Sequence, residues 1–290
     1  MNTVWSSYIQ SIGTLSASRA LRFADCFREE YARAFQMEPG SRVLEIGCGP
    51  GNLAQALARW YPDSRITGMD RDSGFIRYAR ENGPGIDFQE GDATALPFPD
   101  RSFDVTISNT VAEHIEPGKF YAEQYRVLKE GGICLVLSSR RGIHIPAPCV
   151  AEETAFEREI WQRADPRFQE VHAKYSVCAY PQNEAELPRA MEEHGFHHVT
   201  TDYVVAVLTP DDLRYPREMA HAMINANRQN ELDNAETILR VAGNVVTGEE
   251  VERMKARINA RYDQRLRLYD QGIRQWDTDV TVTMIVRGVK

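Results

Sequence analysis

Nine consecutive residues, Val43-Leu44-Glu45-Ile46-Gly47-Cys48-Gly49-Pro50-Gly51, restrict what this chain can fold into more than any other stretch. A short apolar run enters a turn with glycine at every second position. Asn52 to Trp60 then reads as a helix with Leu53, Ala56, Leu57 and Trp60 on one face. A buried strand, a tight turn and a helix in that order open a βαβ unit, and hence a parallel sheet. Glycines in such a turn accept positive φ and let the backbone approach a ligand closely.

The alternation continues. Arg65 to Asp70 is a second strand ending in an acid, and Asp72 and Ser73 can cap a helix running to about Glu81. Ile86 to Glu90 is a third strand ending at Gly91-Asp92, and Phe103 to Asn109 a fourth. A helix from about Pro117 to Leu128 stops at Glu130-Gly131-Gly132, and Ile133 to Ser139 is a fifth, strongly apolar strand. Five strands alternating with helices predict a doubly wound α/β sheet. A helix near Asn183–His194, a sixth strand at Val199–Leu208 and a β-branched seventh at Asp279–Arg287 bring the count to seven strands.

Three segments stand outside this pattern. Residues 1–40 form a helical preface, in which Tyr8 and its neighbours could act as a flap. Residues 140–182, beyond the fifth strand, form an irregular substrate-side segment. Residues 210–276 form a helical insertion, a lid or a dimer surface, with a long stripe from Val251 through Met254, Ile258, Tyr262, Leu266, Tyr269 and Ile273 to Trp276 after a Thr247-x-x-Glu250 capping box. The core is then 41–209 with 277–290.

Composition excludes several classes. In 290 residues, a formal net charge of −8 argues against a chain built to ride on phosphate backbone, so nucleic acid is an unlikely partner. The five cysteines are scattered and contain no C-x-x-C pair, which reads as reduced thiols in a cytoplasmic chain. Met1 to Gln10 shows no secretory signal, and no apolar run is long enough to span a membrane. No metal site is expected, since His194, His197 and His198 straddle a helix end and a strand start without a fourth ligand.

The glycine turn lacks the features of phosphate binders. Asn52 stands where a dinucleotide loop needs its third glycine, and no lysine and hydroxyl follow Gly51 as in a P-loop. An acid, Glu45, precedes the turn instead. In this form Glu45-Ile46-Gly47-Cys48-Gly49-Pro50-Gly51 resembles the first motif of class I S-adenosylmethionine-dependent methyltransferases. Asp70 resembles the acid that holds both ribose hydroxyls. Gly91-Asp92-Ala93 resembles the segment that reads the adenine edge. Ser108-Asn109-Thr110-Val111 with Glu113-His114-Ile115 resembles the fourth-strand motif beside the methionine part, and Leu128-Lys129-Glu130-Gly131-Gly132 also fits the family.

The resemblance spans residues 40–140 closely and points to the small-molecule branch that includes quinone-ring modifiers. It implies a Rossmann-like methyltransferase fold, a doubly wound seven-stranded, mostly parallel sheet with its last strand antiparallel, with S-adenosylmethionine as donor, S-adenosylhomocysteine as product, and a small-molecule acceptor. The implied cofactor-binding residues are Glu45, Gly47, Cys48, Gly49, Asp70, Arg71, Asp92, Ala93, Asn109, Thr110 and His114. The chemistry is consistent with that: the donor carries no phosphate, and a carboxylate such as Asp70 can accept from two hydroxyls.

Methyl transfer is an in-line displacement that alignment can drive, with a base needed only where the acceptor must lose a proton. His144 leads as a candidate base, with His172 and Tyr175 behind it. Asn109-Thr110-Val111 differs from the Pro-Pro-aromatic segment that cradles planar amino groups, and Cys149 reads as incidental. The alternatives are an RNA or protein methyltransferase docked through the basic helix 248–276, and a cofactor-binding module without turnover. A homodimer is also compatible with the insertion.

Overall fold

The computed structural model describes residues 3–151 and 153–290. Seven strands, β1 (Arg42–Ile46), β2 (Arg65–Asp70), β3 (Asp87–Glu90), β4 (Phe103–Asn109), β5 (Leu128–Ile145), β6 (His197–Leu208) and β7 (Thr278–Val289), form one sheet. Their order is β3-β2-β1-β4-β5-β7-β6. The pairs from β3 to β5 are parallel, and β7 runs antiparallel to both β5 and β6. The doubly wound sheet is as the strand pattern predicts, and its antiparallel last strand is as the resemblance implies.

Both faces of the sheet are covered, which is why the central strands are apolar at nearly every position. Val43, Ile107, Leu135 and Leu137 face one core. There they meet Tyr31 and Phe35 of α2 (Arg28–Phe35) and Leu53, Leu57 and Trp60 of α3 (Asn52–Trp60). Leu44, Ile46 and Val136 face the other, against Phe120 and Tyr121 of α5 (Pro117–Val127) and Leu187 and Met191 of α7 (Glu186–Glu193). The helix between β2 and β3, α4 (Ser73–Asn82), is capped by Asp72, whose carboxylate accepts from the Gly74 and Phe75 N–H groups.

A third core is mainly helical. Ile160 and Ala164 of α6 (Ala155–Lys174), Ile224 and Ile238 of α8 (Arg217–Ala242), and Val251, Met254 and Ile258 of α9 (Gly248–Asp270) are buried together. The segment 140–182, expected to be irregular, thus contains a 20-residue helix. Its signal was present: Thr154 and Glu157 form a reciprocal capping box, and Phe156, Ile160, Ala164 and Phe168 recur every fourth residue.

Three boundaries differ from expectation. The helix before β5 ends at Val127, and residues 128–132 already belong to the strand. β5 continues six residues past Ser139, because β7 supplies hydrogen-bond partners as far as Ile145 opposite Thr278. Gly142 permits this: a Cβ there would stand 1.9 Å from the Val280 carbonyl oxygen, at the point where the register shifts. α9 ends at Asp270 by way of Gly272, at φ +73, so Ile273 and Trp276 leave the stripe and are exposed.

The first helix, α1 (Ile12–Arg22), lies against α8. The Asp233 carboxylate of α8 accepts from the Thr14 N–H at 2.9 Å, from Thr14 Oγ1 at 2.7 Å and from Ser11 Oγ. A carboxylate at a helix N-terminus meets both the free N–H groups and the positive end of the helix dipole.

Candidate functional site

The glycine turn folds back over the end of β2. The Gly47 and Cys48 N–H groups donate to the Met69 carbonyl at 2.7 and 3.0 Å, and the Gly49 N–H donates to Asp70 Oδ2 at 2.9 Å. Asp70 Oδ1 accepts from the Asp72 N–H at 2.8 Å. Gly47, Gly49 and Gly51 all have positive φ; at Gly47 a Cβ would lie 2.4 Å from Val111 Cγ2. Burial pushes the Asp70 carboxyl up to about 6, against the pull of those two N–H groups. Cys48 is buried and its thiol is held well above the ordinary range, so it fills space and does not react.

Glu45 is the buried acid in β1. Burial pushes it up to about 8, despite the Arg19 guanidinium, and its Oε2 has no partner among the described residues. At the end of β3, Asp92 Oδ1 accepts from the Thr94 N–H and hydroxyl, both at 2.8 Å, which holds this carboxyl below its usual range. At the end of β4, Thr110 adopts φ +56, an uncommon conformation for a β-branched residue and one found where structure is organised around a site. Its hydroxyl donates to the Asn109 carbonyl and accepts from Arg19 Nη2, both at 2.7 Å.

His114 Nδ1 accepts from the Cys178 N–H at 2.9 Å, which places its own proton on Nε2. Burial and the neighbouring Arg71 push it down to about 4, so the ring is neutral at physiological pH. The Tyr180 N–H donates to the Glu113 carbonyl at 2.9 Å. Two successive residues after β4 thus tie down the segment that roofs the site.

The N-terminal segment closes another side. Ser6 donates from both its N–H and its hydroxyl to Asp72, at 2.9 and 2.8 Å. Trp5 stacks edge-on with His114 at 4.7 Å between centroids, and the Arg71 guanidinium lies 5.3 Å from the Trp5 ring centroid.

These elements enclose a cavity of about 650 Å³. All eleven expected cofactor-binding residues, Glu45, Gly47, Cys48, Gly49, Asp70, Arg71, Asp92, Ala93, Asn109, Thr110 and His114, line it. Trp5, Arg19, Arg22, Asn52, Glu113, Ser139 and Tyr180 line it as well. Four buried polar atoms without partners among the described residues, Glu45 Oε2, Asn52 Oδ1, Asn109 Oδ1 and Arg22 Nε, belong to its walls. Buried polar groups are nearly always satisfied, so a cluster of orphans around one cavity marks a place built for a polar ligand.

The candidate bases do not meet there. β5 carries His144 past the cavity, opposite Asp279, into the lining of a second cavity of about 380 Å³. His172 lies in the last turn of α6 with its ring 6.4 Å from that of Phe168, and Tyr175 sits under the Lys174 ammonium. Neither His172 nor Tyr175 lines either cavity. Arg19, Arg22 and Trp5 went unnoticed in the sequence because they come from the preface, where helical spacing reveals packing but not which cavity a polar side chain faces. Among the described residues no group of histidines, cysteines and acids could hold a metal ion.

A sheet of this order, with a glycine turn after β1 and acids at the tips of β2 and β3 around one cavity, has the architecture of class I S-adenosylmethionine-dependent methyltransferases. Residues 44–136 match the family described as a methyltransferase domain. Over 111 residues the chain is 41% identical to a fatty-acid O-methyltransferase of Mycolicibacterium smegmatis, covering 37% of this chain and 40% of that protein. Over 105 residues it is 43% identical to a phthiotriol/phenolphthiotriol dimycocerosates methyltransferase of Mycobacterium ulcerans, covering 35% and 38%. The matches thus span about two fifths of these relatives' length. Among solved structures, phosphoethanolamine N-methyltransferase 2 of Haemonchus contortus in complex with S-adenosyl-L-methionine shares the fold, with a TM-score of 0.52 and 16% identity over 99% of this chain and 59% of that one.

Proposed function

We propose that this chain transfers a methyl group from S-adenosylmethionine to a small-molecule acceptor. The observation that carries the proposal is the single cavity where the glycine turn, Asp70 and four orphaned buried polar atoms converge. The donor supplies an electrophilic methyl on sulfonium, and its ribose, ammonium and carboxylate match the groups present. Asp70, with lone pairs left after accepting two N–H groups, suits a pair of hydroxyls. Glu45 suits a cation, and the absence of any lysine from the glycine turn suits a ligand without phosphate.

The chain's contribution is positioning. The turn fixes the Asp70 carboxylate, the roof at Cys178 and Tyr180 excludes water, and His114 holds that roof as a neutral acceptor. The fatty-acid O-methyltransferase and the phthiotriol/phenolphthiotriol dimycocerosates methyltransferase that resemble part of this chain favour a small organic acceptor over RNA or protein. The cytoplasmic setting read from five unpaired cysteines belongs with this proposal.

The test is calorimetric titration with S-adenosylhomocysteine. Wild-type protein is expected to bind, and Asp70→Ala to bind on the order of 100-fold more weakly, since a charged carboxylate hydrogen-bonded to two hydroxyls contributes that much. No binding by the wild type sinks the reading.

A further inference from the structure

Two arginines one turn apart on α1, Arg19 and Arg22, face the same cavity. Arg19 donates to Thr110 Oγ1, and Arg22 Nη1 donates to Ser139 Oγ at 3.0 Å. Among the described residues neither forms an ion pair, and Arg22 Nε is buried without a partner. Burial lowers Arg19 to about 9 and lowers Arg22 as well, and each guanidinium repels the other. The carboxyls that act on them from a distance are Glu45 and Glu113 for Arg19, and Asp279 for Arg22; burial holds Glu45 and Glu113 above their usual range. Two desolvated cations with no counter-charge in contact are costly unless ligands supply it.

The donor brings one carboxylate and so can neutralise one guanidinium. The other needs a second anion. Arg22 also lines the second cavity, together with Gln10 and Ser18, which makes it the seam between the two spaces. The second cavity has Leu21, Ile145, Val150, Leu208 and Met223 in its walls beside the polar Thr14, His144, Asn227 and Asn230; of its three acids, Asp277 is engaged by Arg265 and Glu231 by Arg261 and Tyr262, while Asp279 also lines the space. Its volume, about 380 Å³, is at the low end of small-molecule sites, which run from roughly 300 to 1,000 Å³.

We propose that the acceptor is a carboxylic acid with an apolar body, its carboxylate held by Arg22 at the seam and its body in the second cavity. This rests on the methyltransferase reading above. One carboxylate oxygen uses a lone pair to form a bond to the donor's methyl carbon while the carbon–sulfur bond breaks and its electron pair goes to sulfur. The products are a methyl ester and S-adenosylhomocysteine. A carboxylate is already ionised at neutral pH, so no general base is consumed, and His144 in the wall of the second cavity need not take a proton. The ester is neutral and loses its attraction to Arg22, which favours its release.

The experiment uses labelled S-adenosylmethionine with octanoate, dodecanoate and hexadecanoate beside the alcohols and amines of equal length. Label is expected in the acids alone, released as methanol by alkali. Arg22→Met is expected to raise KM for the acid roughly 10- to 100-fold, the loss of one charged hydrogen-bonding partner, a larger change than calorimetry shows for S-adenosylhomocysteine. Arg22→Lys should recover part of the loss. Because a variant can misfold, dodecanoate is also titrated into wild-type protein saturated with S-adenosylhomocysteine, where binding of the acid and not of dodecanol is expected. Equal methylation of alcohols or amines, an unchanged KM in Arg22→Met, or bound S-adenosylhomocysteine with no acid methylated each overturns the inference while leaving the donor reading intact. Failure of wild-type protein to bind S-adenosylhomocysteine overturns both.

Discussion

At the scale of single residues, the larger cavity is a place where burial works against ionisation. Asp70 is raised to about 6 and Glu45 to about 8. Both folded values lie above the unfolded ones, so each group's contribution to stability is fully present below about pH 4 and is lost as pH rises through about 6 for Asp70 and about 8 for Glu45. A ligand that presents hydroxyls and an ammonium favours the ionised forms. Affinity for S-adenosylhomocysteine is therefore expected to rise between pH 5.5 and 8, with protons released on binding. Calorimetry in buffers of different ionisation enthalpy measures this directly, and a flat pH profile would count against the assigned roles. These acids were legible in the sequence because their spacing from strand ends is fixed by the fold. The arginines were not, since a helix of the preface can turn any of its faces inward until its neighbours are known.

At the scale of elements, the join between α9 and β7 is held by charge. Arg265 is fully buried and bonds both Asp211 and Asp277, and Asp211 also accepts from the Gln275 and Trp276 N–H groups. Arg265→Ala leaves two acids in a dry site and is expected to cost about 3–5 kcal/mol in urea unfolding. Arg217→Ala, which breaks an exposed pair with Asp270, should cost far less than Arg265→Ala. Near-equal losses would show that the buried triad is not what fixes this join.

A second link at this scale is Asp233, which clamps the start of α1. Asp233→Ala should weaken S-adenosylhomocysteine binding roughly fivefold or more, a typical coupling between separate sites, because α1 carries cavity residues at its other end. Unchanged affinity would mean that α1 is positioned by its apolar contacts alone. The element pattern explains what could be read in advance. Strands and helices of the alternating core each declare a period and a turn. The extension of β5 depended on β7, a partner some 140 residues away in the chain, and no local pattern in residues 140–145 reports it. α6 was readable by its capping box and four-residue period, but Pro166 interrupts the helical pattern midway.

At the scale of the molecule, the basic residues of α9 are spent internally. Lys255 pairs with Glu236 and Glu252, Arg261 with Glu157 and Glu231, and Arg253 and Arg257 lie over the Phe156 ring. The helix that in sequence offered a surface for RNA is largely a strut between α6 and α8. No gel shift with tRNA is expected at physiological ionic strength; a shift whose affinity falls steeply with salt would restore the RNA reading.

The Asp233 clamp also bears on when the protein becomes competent. Its contact with Ser11 joins residues 222 positions apart. During synthesis the core through β5 can emerge and begin to fold while α1 still lacks its anchor, since domains form progressively as the chain lengthens. The wall bearing Arg19 and Arg22 is set in place only after α8 has been made. A ribosome-bound chain ending near β6 would then hold the glycine turn and Asp70 yet bind donor weakly, so that competence arrives late, as a property of the nearly finished polypeptide.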